Sequence, residues 1–249
     1  MDHFELSQLT LAIGIVAFLY SSVGHAGASG YIAVMTLFGV ATASIKPTAL
    51  VLNIMVACVG TFQFWRAGHF SWKLFWPFAV CSIPMAFLGS YLGGKLLVSP
   101  DIINQLIGVV LLFSAMRLFL RQGDPDEVTP PSRVAAYGVG AGIGLLSGLT
   151  GTGGGIFLTP LLLFRHWAKI RPAAAVSVMF ILVNSVAGLA GHFASGKRIP
   201  SFAWGVAAAA ICGGAIGSYL GSKRFPPRAI QFLLATVLVV AGVKLLTGK

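Results

Sequence analysis

Ten continuous apolar runs leave this chain very few ways to satisfy its backbone. They cover residues 6–23, 30–44, 47–65, 72–94, 102–120, 133–149, 155–165, 172–191, 200–222 and 228–246. A strand of a membrane β-barrel would place a polar residue at every second position, and these runs do not. In hydrocarbon only helices and closed barrels pair every backbone group, and roughly 20 apolar residues make one helical crossing. The reading is therefore an all-α integral membrane protein, multi-pass, in the cell (inner or plasma) membrane. Composition decides against a soluble alternative. Only 9% of the 249 residues are charged, whereas a soluble domain carries about a quarter.

The net charge of +11 does not indicate nucleic acid. Phosphate-binding basic residues cluster on one wet face. Here they stand singly or in pairs at the ends of apolar runs, as in Lys197-Arg198 and Lys223-Arg224, which is the mark of membrane topology. Cys58, Cys81 and Cys212 lie inside apolar runs with no CxxC spacing, so they read as small packing residues. Asp2 and Glu5 precede the first run, with no Lys or Arg before it. A cleaved signal needs a basic start, so Leu6 onward is expected to be a retained helix.

The second constraint is duplication. Lys46-Pro47 matches Arg171-Pro172, and Gly68-His69-Phe70 matches Gly191-His192-Phe193. Gly89-Ser90-Tyr91-Leu92-Gly93 with Lys95 matches Gly217-Ser218-Tyr219-Leu220-Gly221 with Lys223. Pro100 with Ile103 matches Pro227 with Ile230, and Arg117-Leu118 matches Lys244-Leu245. Charged, proline and tyrosine positions would not stay in step by chance. The domains read as a first membrane repeat over 1–120, a polar linker over 121–132 (RQGDPDEVTPPS) and a second repeat over 133–249.

Each repeat opens on a segment too long for one crossing and interrupted by glycine, followed by three transmembrane helices. The breaks are residues 21–30 (SSVGHAGASG) and 147–155 (SGLTGTGGG). Glycine at this density stops a helix. Broken helices at membrane depth survive only where protein or a wet cavity surrounds them, and paired breaks in two repeats point to a transporter's binding site. If each broken segment turns back, each half crosses an odd number of times and the repeats are inverted. The basic residues then divide 11 against 6, whereas single crossings would divide them 8 against 9. The positive-inside rule favours the inverted pair, with both termini outside the cytoplasm.

Helices beginning at Gly30 and Gly155 would aim unpaired N–H groups at the breaks, and such termini attract anions. Ser22, His25, Gly27, Ser29 and Gly30 in the first break, with Ser147, Thr150, Thr152, Gly153, Gly154 and Gly155 in the second, supply donors or close backbone approach. No carboxylate lies in either break, so the predicted substrate is a small anionic solute. The plainer alternative is helix packing through small residues. Asn53 and Asn184 are further candidates deep in their helices; they either line a path or bond a neighbouring helix. All six acidic residues fall in termini or loops, leaving no intramembrane carboxylate to relay protons. His25 is then a titrating switch or a fixed donor, while His69 and His192 read as helix-end residues.

The elements GHAGASGYIAV and GLTGTGGGIFLTPLLL, each followed by a basic-proline pair and a helix, resemble the sulfite exporter TauE/SafE family, also described as the TSUP transporters. The likeness covers nearly the whole chain. Gly151 to Pro160 follows the family pattern of glycines and then a proline. The first element departs from it, with His25, Ala28 and Ser29 in place of glycines or small residues, and Ala33 and Val34 where a proline is common. The resemblance implies a transporter of sulfur anions such as sulfite or organosulfonates, in the export sense of the family name.

Two other functions fit parts of the sequence. An anion channel or facilitator without energy coupling fits the lack of an ATP-binding motif. Gly27-Ala28-Ser29-Gly30 also matches the GxSG motif of rhomboid intramembrane serine proteases, with His192 cast as base. The second copy has no such serine, so no catalytic residue is assigned. No cofactor, metal or nucleic acid is expected. The expected partners are a small anion and the lipid bilayer, and a homodimer is among the assemblies the sequence allows.

Overall fold

The computed structural model describes residues 3–93, 100–120, 124, 127–196, 198–200 and 202–247. Within them lie ten helices: α1 (His3–Ser22), α2 (Ala28–Leu37), α3 (Thr42–Arg66), α4 (Trp72–Leu92), α5 (Pro100–Leu120), α6 (Arg133–Thr150), α7 (Gly155–Phe164), α8 (Ile170–Ala194), α9 (Phe202–Lys223) and α10 (Pro227–Thr247). Each matches one apolar run. Local signals set several boundaries. Ser71 and Ser132 cap α4 and α6 by accepting from the backbone N–H of Leu74 and Ala135, and prolines open α5 and α10, where the missing N–H costs nothing. Six helices, α1, α3, α4, α8, α9 and α10, hold stretches long and apolar enough to cross a membrane.

Glycine ladders set the closest packing. On α6, Gly140, Gly144 and Gly148 press against the backbone of Phe78, Ser82 and Ala86 on α4. On α9, Gly213, Gly217 and Gly221 press against the backbone of Gly14, Phe18 and Ser22 on α1. Spacing of four keeps each ladder on one helix face, and small residues let backbones approach in the absence of a hydrophobic driving force between helices. Numbers rise together along both seams, so α6 runs parallel to α4, and α9 to α1.

The remaining contacts fix the other directions. Leu50 meets Gly188, Asn53 bonds Ser185, and Val178 abuts Gly60, so α3 and α8 are antiparallel. Gly108 lies against Gly242, and Leu118 accepts from Gln231, so α5 and α10 are antiparallel too. The short α3–α4 and α8–α9 connections reverse the chain. It follows that α1, α3 and α9 point one way, and α4, α6 and α8 the other.

One face of the bundle gathers the end of α3, the start of α6, the α7–α8 turn and the α9–α10 turn. His69 reaches the carbonyl of Ser222 at 3.0 Å, and Arg171 donates to Phe225 O at 3.0 Å. Asp124 accepts from Ile170 N at 2.6 Å, and Thr129 N donates to His166 O at 2.9 Å. The linker thus touches the turn that follows α7, so α6 and α7 leave this face and return to it. Residues 121–123, 125 and 126 of the linker, and Lys95, lie outside the described residues.

The outer surface is apolar, as a lipid-facing surface must be. Leu11, Val134, Trp204 and Phe232 are all more than half exposed. Trp65, Trp72 and Trp76 crowd the α3–α4 end beside Arg66 and Lys73, the arrangement of an interfacial aromatic belt. One expectation is corrected here. Cys58 and Cys212 are exposed and Cys81 is half-buried, so the first two face outward instead of filling the core.

Candidate functional site

The two breaks share a backbone plan. Gly24 and Gly151 follow the first helix of each pair with φ of 78°, and Gly27 and Gly154 cap the second helix with φ of 110° and 82°. Side chains with a Cβ resist this left-handed region, which accounts for the glycines. The equivalence corrects the sequence reading. The second helix of the first pair begins at Ala28, not Gly30, and Ser29 lies in its first turn. Asn53 stands near the middle of α3, because α3 starts at Thr42 before Pro47.

Their side chains differ. In the first break most polar groups are already used. Ser22 Oγ donates to Leu19 O at 2.7 Å, and Ser29 Oγ donates to Tyr20 Oη at 3.0 Å. Tyr31 Oη donates to Ala26 O, and a Cβ on Gly27 would strike the Tyr31 ring. Gly30 packs against Val16 and Tyr20. The Ser29 hydroxyl meets Tyr20, while His192 Nε2 faces Arg198 O at the end of α8. The structure holds no Ser29–His192 pair, and the protease reading is set aside.

The second break is polar and partly unsatisfied. Asn53 Nδ2 donates to Thr152 O at 3.4 Å and to Ser185 Oγ at 3.3 Å, which ties α3, the break and α8 together. Gly153 sits against this pair, since a Cβ there would lie 2.9 Å from Asn53 Nδ2 and 3.0 Å from Ser185 Oγ. Gly154 sits against Ser147, Ile143 and Phe180. One turn beyond Phe180, Asn184 Oδ1 accepts from Ser82 Oγ at 2.7 Å. Thr150 Oγ1 donates to Leu146 O and lies 2.9 Å from Thr152 Oγ1. Ser147 Oγ, Asn53 Oδ1 and Asn184 Nδ2 are buried with no hydrogen-bond partner. Buried polar atoms are nearly always paired, and Ser21 Oγ and His25 Nδ1 are likewise without a partner at the first break.

Two groups escaped sequence reasoning. Lys46 Nζ donates to Leu149 O at 3.2 Å, and its stem lies along Gly151, so a cation stands at the C-terminal end of α6 beside the break. Its repetition as Arg171-Pro172 was the available signal. Ser82 and Ser185 gave none, because nothing in their local sequence distinguishes them from packing serines.

Helices broken at matched glycines, with unsatisfied polar groups buried at both breaks, fit a multi-pass membrane transporter. The family described as sulfite exporter TauE/SafE matches this sequence over residues 9–245, and the chain belongs to that family. It is 40% identical to the probable membrane transporter protein y4hK of Sinorhizobium fredii, covering 97% of this chain and 98% of the relative. It is 27% identical to the probable membrane transporter protein YjnA of Bacillus subtilis, over 93% and 96% of the two chains. An archaeal relative, the probable membrane transporter protein MJ0441 of Methanocaldococcus jannaschii, shares 22% identity over 80% and 77%. No solved structure matches. This is a transporter family, not an enzyme family.

Proposed function

We propose that this protein carries a small sulfur oxyanion or organosulfonate across the cytoplasmic membrane, and that the solute binds at the second glycine break. The carrying observation is the trio of unpartnered buried atoms there. Ser147 Oγ and Asn184 Nδ2 are donors suited to anionic oxygens. Asn53 Oδ1 is an acceptor suited to the O–H of a protonated oxyanion or of water travelling with it. The first turn of α7 adds its backbone N–H groups and positive dipole end, and Lys46 adds charge nearby. No carboxylate opposes an anion in the break. In the first break Ser29 bonds Tyr20, and Ser22 and Tyr31 bond backbone carbonyls of their own helix pair, so it serves as the structural counterpart.

Ser147→Ala tests this reading with little disturbance to the fold, because the hydroxyl has no internal partner to lose. Losing a hydrogen bond to a charged ligand costs about 1.5–3 kcal/mol, hence roughly tenfold to a hundredfold in affinity. Titrating purified protein with sulfite and methanesulfonate by calorimetry should show that loss. Wild-type affinity in the alanine variant would move the site away from this break. Gly154→Val would be a poor test, since valine there is strained and would meet Phe180.

The reading includes inverted repeats. Its support is the opposed direction of α1 and α6, α3 and α8, and α5 and α10, together with the basic residues Arg66, Lys73, Arg133, Arg165, Lys169, Arg171, Lys223, Arg224 and Arg228 near one face. That face is assigned to the cytoplasm. In a chain with its native cysteines replaced by alanine, an impermeant maleimide added to intact cells should label Lys249→Cys and spare Gly123→Cys. Labelling of both from the same side would exclude the inverted arrangement.

A further inference from the structure

Two buried side chains of the first break, Ser21 and His25, carry an unpartnered polar atom, and of these only His25 can titrate. His25 is 2% exposed, and its Nε2 lies 3.3 Å from Thr159 Oγ1 on α7. Thr159 in turn donates to Ser177 Oγ on α8 at 2.7 Å. The backbones of Gly155, the first residue of α7, and of Val23 border the same ring, and Gly155 also packs against the carbonyl of Ser177. His25 Nδ1 has no hydrogen-bond partner. An imidazole from one break is thus held against the first turn of the helix that follows the other, with one ring nitrogen open.

We propose that His25 is a proton-binding site coupled to the anion at the second break, so that proton and anion cross together. The proposal rests on the anion reading given above. The titratable and charged groups on the elements around His25 are few. Tyr20 lies on α1 and Tyr31 on α2; α7 has none within its span. Arg171 lies one turn before Ala174, which abuts Gly24, and Lys223 follows Gly221, which abuts Ser22. Lys46, Arg66, Arg228 and Lys244 stand toward the ends of α3 and α10, which pack on α2. Glu5, at the opposite end of α1, is the one acidic residue on any of these elements. No carboxylate is therefore at hand to neutralise an imidazolium at His25.

A lone buried cation is costly, and an anion seated at α7's first turn offsets that cost. Each ligand then raises the affinity for the other by the same factor, as linkage requires. The step is a proton transfer and nothing else: a hydronium ion gives its proton to Nδ1 and leaves as water on one side of the membrane, and Nδ1 returns the proton to water on the other. Thr159 and Ser177 are positioning residues. They hold Nε2 and tie the protonation state of His25 to α7 and α8.

The test uses purified protein in liposomes loaded with a pH-sensitive dye, with methanesulfonate, sulfite and thiosulfate as probes. Methanesulfonate is the decisive one, because its own charge does not change in the working pH range. Wild type should exchange labelled methanesulfonate and acidify the lumen as the anion enters. His25→Gln keeps a hydrogen-bonding side chain but cannot carry the proton. It should bind and exchange the anion more weakly, by the coupling factor, and lose the acidification that accompanies each anion still carried. If that variant does not fold, Thr159→Val carries the same test, with less acidification per anion. Anion-linked acidification by His25→Gln at the wild-type rate, or wild-type exchange without acidification, overturns the proposal. If no probe is exchanged by wild type, the anion reading fails, and His25 is judged by itself through ring-labelled histidine resonances compared with those of His25→Gln. A His25 signal that titrates between about pH 5 and 8 sustains the proton site, and one that stays unchanged overturns it.

Discussion

Gly144→Leu should abolish folded protein. A Cβ at this position would lie 2.7 Å from Ser82 Cα and closer still to Ser82 O. Backbone atoms cannot swing aside as a flexible side chain can, so α4 and α6 would have to separate along their whole seam. Gly140 and Gly148 meet the same strand of α4 backbone, and their contacts would be lost with it. Overpacking normally costs about 1–3 kcal/mol. Breaking a backbone-to-backbone seam belongs with the exceptional cases above about 4 kcal/mol, which a marginally stable protein does not survive. Gly217→Leu should do the same to the α1–α9 seam, where Phe18 backbone lies against it. Gly142→Leu is the control. Nothing lies within 4 Å of a Cβ there, and leucine favours helix over glycine. Size-exclusion profiles of detergent extracts read the outcome, and a monodisperse Gly144→Leu protein with wild-type thermal stability would refute the close-packed seam.

Asn53→Leu should lose anion transport by about a hundredfold or more while leaving the protein in the membrane. The substitution keeps side-chain volume but removes three things at once. Thr152 O loses its donor, Ser185 Oγ loses its partner, and the unpaired Asn53 Oδ1 disappears from the break. A half-buried carbonyl left without its donor costs about 1 kcal/mol, and the lost contact to solute adds about 1.5–3 kcal/mol, together about 3 kcal/mol. Gly153 is held by the side chains around it, while Gly154 O accepts the first backbone bonds of α7, so the break should shift on the Gly153 side. Asn184→Leu should be as damaging to transport, since it strips Ser82 of its acceptor. In contrast Ser29→Ala should be mild, because it removes only a link to Tyr20 within the first helix pair. Uptake of labelled sulfite or methanesulfonate into proteoliposomes, scaled to reconstituted protein, measures all three. Near-normal uptake by Asn53→Leu would show that the amide merely fastens α3 to α8.

The helices were legible because their causes are local. Continuous apolar runs, a serine before Trp72 or Arg133 and a proline at 100 or 227 act within a few residues of themselves. The left-handed glycines of the breaks were legible for the same reason, and so was the prospect of two matched breaks. The start of α2 was misplaced by two residues, because Ala28 and Ser29 are compatible with either a loop or a first helical turn. Packing of α1 on α9, and of α6 on α4, had no local signature beyond glycines spaced by four. Many other glycines, such as Gly138, Gly142 and Gly205, face open space.

What separated the two breaks lay beyond the sequence. Both carry hydroxyls at similar density, and a count of donors ranked them alike. Whether a hydroxyl is free depends on what the rest of the chain brings to it. Tyr20 and Tyr31 engage Ser29 and Ala26 within the first helix pair and leave Ser21 and His25 with unpartnered atoms, whereas Asn53, Ser82 and Ser185 converge on the second break from α3, α4 and α8. The same holds for His25, whose sequence neighbours are small and apolar and whose partners, Thr159 and Ser177, belong to the other half. Backbone conformation is set by short-range sterics and is written residue by residue. The satisfaction of a buried polar atom is a long-range property, so only the folded bundle decides which donors are left for a solute.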